Sequence, residues 1–213
     1  MKLIYKGTEP AEWVEFRNTP GTDYESRACL RRALYMEQGG ICAYCMKRLS
    51  DELAGGVSAN KIEHIKARSK CTREERMQYR NMVLCCSGVE AGLPDSETHC
   101  DTHRGNDDIS ITPLSLKCIE SLSYKTDGHI ESSDEEWNRD IDVTLNLNHP
   151  VLVLNRKFAI SGVIKILGTK RWTAREIRAM IKFYESRDKN GLYKEFAAAI
   201  VWKLNRWLAV KSA

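Results

Sequence analysis

The 213-residue sequence has no apolar run long enough to cross a membrane. The longer runs, such as Phe196 to Trp202, stop at a lysine, Lys203, well short of the roughly 18 to 20 residues a spanning helix needs. The opening stretch from Met1 to Trp13 carries Lys6 and Pro10, which leaves no room for the apolar segment of a secretory leader. No Gly-x-x-x-x-Gly-Lys-Ser/Thr sequence occurs, so any ATP hydrolysis has to come from another chain. Internal repeats, low-complexity tracts and flexible linkers are missing too. Charge is nearly balanced, with 33 Lys and Arg against 29 Asp and Glu, a net +4 that agrees with a nucleic-acid partner without requiring one.

What the chain does have is eight cysteines. A chain of this length can bury roughly 70% of its unfolded surface and does not need disulfides to fold. Without a leader, the expected setting is a thiol-reducing cytoplasm, where paired cysteines serve as metal ligands rather than cross-links.

The pattern predicts an α+β protein in three stretches: a helical segment over 1–40, a core over 41–113 and a mainly helical region over 114–213. Thr8-Glu9-Pro10 is a helix-start signal. Thr22-Asp23-Tyr24-Glu25 has the form of a capping box, predicting a helix through Gln38 that Gly39-Gly40 ends. Ile41 to Leu49 must fold into a knuckle, followed by a loop containing Gly55-Gly56. Lys61 to Ile65 alternates as a strand, with Ile62 and His64 on one face and Glu63 and Ile65 on the other. Met82 to Leu84 reads as a second strand and Cys100 to Asn106 as a short polar helix. Further on, Asp127-Gly128 predicts a hairpin joining 121–126 to 129–132. Ser133 to Glu136 predicts a short helix to about Ile141, Pro150 the first turn of a helix to Leu167, and Thr173 to Glu176 a capped helix. A last helix is expected to bury Leu192, Phe196, Ala199, Ile200, Leu204, Trp207 and Leu208.

Cysteines bracket a Glu-His pair in the order Cys42-x-x-Cys45, Glu63-His64, Cys85-Cys86, Cys100. Zinc favours four soft ligands from two short hairpins or knuckles, and Cys42 with Cys45 forms the first pair. The second pair is less tidy: Cys100 with one of Cys85 and Cys86, since neighbours on a strand point to opposite faces, and His99 lies alongside. Unlinked buried cysteines are the alternative; a redox Cys-x-x-Cys is disfavoured by the lack of a thioredoxin-like unit. Between the anchors lies chemistry suited to a phosphodiester. His64 can take a proton from water near neutral pH, and Glu63 with Asp101 could hold a hard divalent cation. Basic residues crowd around this pair, Lys61, Lys66, Arg68, Lys70, Arg73, Arg76 and Arg80 among them, as a nucleic-acid backbone requires and as a solvated face equally allows.

The runs GGICAYCMKRL, KIEHIKARS, YRNMVLCCSG and HCDTHRGND together resemble the zinc-stapled HNH endonucleases with a ββα-metal core. LRRALYMEQGGICAYC and DVTLNLNHPVLVLNR resemble more narrowly the PtuB-like HNH nucleases of retrons and Septu anti-phage systems. The resemblance runs from about Glu9 to Arg156. It implies that His64 is the general base, that Glu63 and Asp101 bind magnesium or manganese, and that Asn81 braces the loop between the strands. It also implies structural zinc on Cys42, Cys45, Cys86 and Cys100. Asp101 stands where relatives carry Asn or His, leaving His103 as an extra ligand or phosphate contact. Arg104 replaces a usual lysine with a forked donor suited to phosphate, and with Lys66 and Arg68 completes the expected nucleic-acid contacts. An ABC/SMC-like ATPase partner is implied in the same way. DNA is the favoured substrate with RNA, such as tRNA, as the other, and the rival from another class is a zinc-knuckle adaptor that binds nucleic acid without cutting it.

Overall fold

The computed structural model describes residues 1–53, 59–94 and 96–212; the loop expected at Gly55-Gly56 lies outside them. In chain order the elements are α1 (Ala11–Asn18), α2 (Ala28–Glu37), β1 (Lys61–His64), α3 (Arg73–Arg76), β2 (Met82–Cys85), α4 (Cys100–Arg104) and α5 (Leu116–Glu120). There follow β3 (Leu122–Tyr124), β4 (Ile130–Ser132), α6 (Glu135–Arg139), α7 (Pro150–Leu167), α8 (Ala174–Glu185) and α9 (Ala197–Ser212). The strands form two small antiparallel sheets, β1 with β2 and β3 with β4. This is a mixed α+β architecture. Among the described residues, no helix is long and apolar enough to cross a membrane.

One continuous core takes side chains from the whole length of the chain, including Trp13, Leu34, Leu84, Ile111, Leu145 and Leu152. Trp13 is fully buried and its indole N–H donates to the Met77 carbonyl at 3.1 Å, which fastens α1 to the segment before β2. A smaller apolar cluster, with Val163, Leu167, Ile177, Ile200 and Leu204, packs α7, α8 and α9 together. Helix α7 shows how spacing produces this packing: Leu152, Arg156, Ile160, Val163 and Leu167 are its buried residues, three or four apart, so they fall on one stripe. Pro150 sits in its first turn and the ring of His149 accepts from the Val151 N–H at 3.3 Å.

Three boundaries differ from the sequence pattern. Helix α2 starts at Ala28, not after a capping box at Thr22, and no side chain caps it. The would-be capping groups are taken by other partners: the Thr22 hydroxyl donates to the carbonyls of Phe16 and Thr19, and the Glu25 carboxylate pairs with Arg27, while the neighbouring Asp23 pairs with Arg76 at 2.6 Å. Helix α6 is capped by Asp134, whose carboxylate accepts from the Trp137 N–H, and it runs on into a wide helical turn over Asp140–Thr144. Helix α9 begins only at Ala197, because Phe196 adopts a left-handed φ of 53°, and Trp207 and Leu208 are half-buried rather than buried.

The hairpin joining β3 and β4 turns at Gly128, whose φ is 99°. A Cβ there would lie 2.0 Å from the Val153 carbonyl oxygen on α7. Arg156 closes the same contact from the helix, donating to the Gly128 carbonyl at 2.6 Å. Gly128→Ala is therefore expected to cost about 2 kcal/mol or more, combining left-handed strain with a backbone overlap. Gly21→Ala, with φ 81° but open space around it, should cost only about 1 kcal/mol. Urea unfolding of the two variants checks the difference, and equal midpoints would count against the packed turn.

Candidate active site and metal centre

The knuckle forms because the chain reverses between Ile41 and Arg48, which pair as an antiparallel bridge. The Cys42 N–H donates to the Lys47 carbonyl at 2.9 Å, and Met46 takes a positive φ of 66°. Gln38 then ties the knuckle to the sheet. Its side-chain amide donates to the carbonyls of Ile41 and Leu84 and accepts from the Leu84 N–H at 2.6 Å, all in buried surroundings. Cys86 follows directly on β2, and Cys100 opens α4 with its N–H held by the Leu145 carbonyl at 2.8 Å.

These supports bring the sulfurs of Cys42, Cys45, Cys86 and Cys100 within 4.8 Å of one another, all buried. Cys42 and Cys100 are 3.9 Å apart, and Cys45 and Cys86 3.8 Å. A disulfide needs about 2.05 Å. A tetrahedral zinc with Zn–S near 2.3 Å places its sulfurs about 3.8 Å apart, so the spacing fits such an ion. Thiolates buried together in this way need a cation to balance them. Four grouped cysteines could thus hold zinc. Cys85 is buried beside the group but outside it, and so is His99, whose Nδ1 lies 3.2 Å from the Cys100 sulfur while its Nε2 meets Glu90 at 2.8 Å.

Beside the knuckle a cleft of about 340 Å³ is lined by Glu63, His64, Arg68 and Asp101 among others. Strand β1 pairs with β2 from Lys61 opposite Cys85 to His64 opposite Met82, and the strand ends at His64. That ending explains a departure from simple alternation: Glu63 and His64 are both buried and both line the cleft. His64 Nε2 lies 2.9 Å from the Arg76 carbonyl, which can only accept, so Nε2 carries the proton and Nδ1 of the neutral ring keeps its lone pair. Burial holds His64 below the ordinary histidine range, which keeps the ring neutral at pH 7. Glu63 is pushed up to about 8 by burial and by the Asp101 carboxylate close by, against the opposing pull of Arg104. Two carboxyl groups lining one cleft form an oxygen-rich place for a hard cation.

Asn81 joins the ends of the loop between β1 and β2. Its Oδ1 accepts from the Lys66 N–H at 2.9 Å, and its carbonyl accepts from the Ile65 N–H at 2.8 Å. Arg104 departs from the expected phosphate contact. It is only 2% exposed, pairs with Glu63, and donates to the carbonyls of His64, Ile65 and Asp107 at 2.8 to 2.9 Å. Its fork is spent inward, locking α4 to the end of β1. His103 also faces elsewhere, its Nε2 donating to the Val143 carbonyl at 3.1 Å and its Nδ1 near the Thr98 hydroxyl. Lys66 is exposed and grips both oxygens of Glu75 at 2.6 Å. Arg68 is the member of that expected set that lines the cleft. Tyr24 was not singled out by the sequence, yet its ring meets that of His64 edge-on at 4.5 Å.

No family model matches the chain. The chain is similar to a protein of Vibrio cholerae serotype O1 biovar El Tor named "Retron Vc95 putative HNH endonuclease", 28% identical over 156 residues, covering 70% of this chain and 71% of that protein. The α+β architecture, small sheets and grouped cysteines are consistent with an HNH fold.

The four-sulfur group predicts a metal dependence of the fold itself. Wild-type protein should purify with about one zinc per chain. Cys45→Ser should release it and lower the melting temperature by several degrees at least, read by metal analysis and thermal unfolding. A Cys45→Ser protein that is folded and fully zinc-loaded would count against the site.

Proposed function

We propose that this chain is a metal-dependent endonuclease of HNH type, built on a zinc-stapled ββα-metal core and hydrolysing nucleic-acid phosphodiesters. The observation that carries the reading is the His64 imidazole, with Nε2 anchored on the Arg76 carbonyl and Nδ1 unprotonated, in one cleft with the Glu63 and Asp101 carboxylates. The similarity to a protein named as a retron HNH endonuclease supports it.

In this mechanism His64 Nδ1 takes a proton from the water that attacks phosphorus. The carbonyl of Arg76 holds the ring so that the basic nitrogen cannot rotate away. Glu63 and Asp101 would hold magnesium or manganese, which supplies charge neutralisation on the phosphate and on the departing oxygen. Arg104 keeps the Glu63 carboxylate in place, and Asn81 braces the loop that follows the base. Cys42, Cys45, Cys86 and Cys100 would hold the structural zinc.

On the same reading the protein works in a reducing cytoplasm as the effector of a retron or Septu-type anti-phage system, beside an ABC/SMC-like ATPase. DNA is the favoured substrate and RNA the alternative. The hairpin and helix grip backbone phosphates, which both polymers present.

His64→Ala should lower magnesium-supported cleavage of plasmid DNA or of RNA by about 100-fold or more at unchanged zinc content. Asp101→Ala should abolish cleavage and leave thermal unfolding within a degree or two of wild type. Equal cleavage by wild type and His64→Ala would sink the reading, and binding of nucleic acid without any cleavage would favour the adaptor.

A further inference from the structure

Cations around the cleft are mostly spoken for. Lys66 is paired with Glu75, Lys70 with Asp108, Arg76 with Asp23 and Arg31 with Glu52. Arg68 is exposed and makes no ion pair among the described residues; its guanidinium lies over the face of Tyr24, 5.7 Å from the ring centre. The cleft that holds His64 adjoins a second cavity of about 470 Å³, and Tyr24, Arg68 and Asn106 line both. These three residues form the waist of one groove.

Tyr24 occupies that waist because segment 22–27 is not helical. Its ring is wedged between Trp13, at 6.3 Å, and His64, at 4.5 Å, with Arg68 above. Trp13 is itself pinned by the Met77 carbonyl, so the ring has a rigid backing. One aromatic side chain therefore touches both the base and the cleft's unneutralised arginine, and it sets the distance between them.

We propose that Arg68 and Tyr24 form a phosphate clamp, in which Arg68 binds a non-bridging oxygen of the phosphodiester presented to His64 and Tyr24 positions both side chains. The clamp rests on the nuclease reading, assigns the contact expected of Arg68 to the phosphodiester at His64, and adds Tyr24 as a positioning residue from outside the motif. A guanidinium stacked on an aromatic face keeps its edge donors free for phosphate, and stacking lowers the entropy lost when the contact forms.

The test measures binding of fluorescein-labelled DNA duplex and of labelled RNA by anisotropy, with magnesium and manganese withheld so that the probe stays intact. Arg68→Gln should weaken binding roughly 10-fold and reduce the slope of log affinity against log salt by about one contact. Arg178→Gln makes the same charge change at an exposed position on α8, outside the groove, and should alter binding less than about 2-fold. Tyr24→Phe keeps the ring and should bind as wild type does. Tyr24→Leu should weaken binding several-fold, yet add little once Arg68 is already Gln, because the two act as a unit. Loss on either polymer supports the clamp and names the substrate. Wild-type affinity in Arg68→Gln, or fully additive Tyr24 and Arg68 effects, would overturn it while leaving the nuclease reading intact. Failure of the wild-type protein to bind either polymer would overturn both.

Discussion

Four buried sulfur atoms within 4.8 Å of one another are the constraint on which the rest of the cleft depends. They come from a knuckle, from the residue after β2 and from the first residue of α4, three segments that no long element joins. Short strands of four residues and a helix of five cannot hold one another in place by their own hydrogen bonds. A bound zinc contributes on the order of 10 kcal/mol, enough to organise such short pieces. Gln38 shows the protein reinforcing the same junction with neutral hydrogen bonds from α2.

The cleft then needs a balance of charge. Glu63 is 6% exposed, and a bare buried carboxylate beside a second one is costly. Arg104 offsets that cost from below, and its remaining donors are all satisfied by backbone carbonyls, so it is held as firmly as it holds. A lysine at this position could not make the same set of contacts, because it lacks the planar fork. On the proposed nuclease reading, the carboxylates keep their geometry before any cation or substrate arrives. Preorganisation of this kind is where a hydrolytic site gains most of its advantage.

Much of this was legible in the residues. Cys-x-x-Cys at a turn, Glu-His in a strand pattern, the Asp-Gly hairpin and the Pro150 helix are local signals with local causes, and each element formed near its expected bounds. What could not be read were outcomes of competition between distant groups. The Thr22 capping box is a sound pattern, but its hydroxyl and the neighbouring Asp23 have better partners in Phe16, Thr19 and Arg76. Arg104 looks like a phosphate contact in the sequence because nothing there shows that α4 turns it toward Glu63. Strand alternation alone leaves Cys85 and Cys86 open, because the choice depends on where β2 ends relative to the knuckle; the family resemblance points to Cys86, the one grouped with the other three sulfurs.

The lost capping box also explains how the cleft came to have a wall. Had residues 22–25 joined α2, Tyr24 would sit in a regular helical turn, with its direction set by the helix axis. Left extended, the segment is free to lay Tyr24 between Trp13 and His64, while Asp23 fastens it to Arg76, the residue whose carbonyl also orients the His64 ring. The same few residues thus hold the His64 imidazole from two sides, through its Nε2 proton and through a ring contact. Motifs that name only the histidine and its ligands leave this support unseen, since it comes from a stretch of chain about 40 residues earlier. Trp13 on α1 backs Tyr24, and Tyr24 meets the imidazole, so one run of ring contacts joins the packing of α1 to the setting of His64.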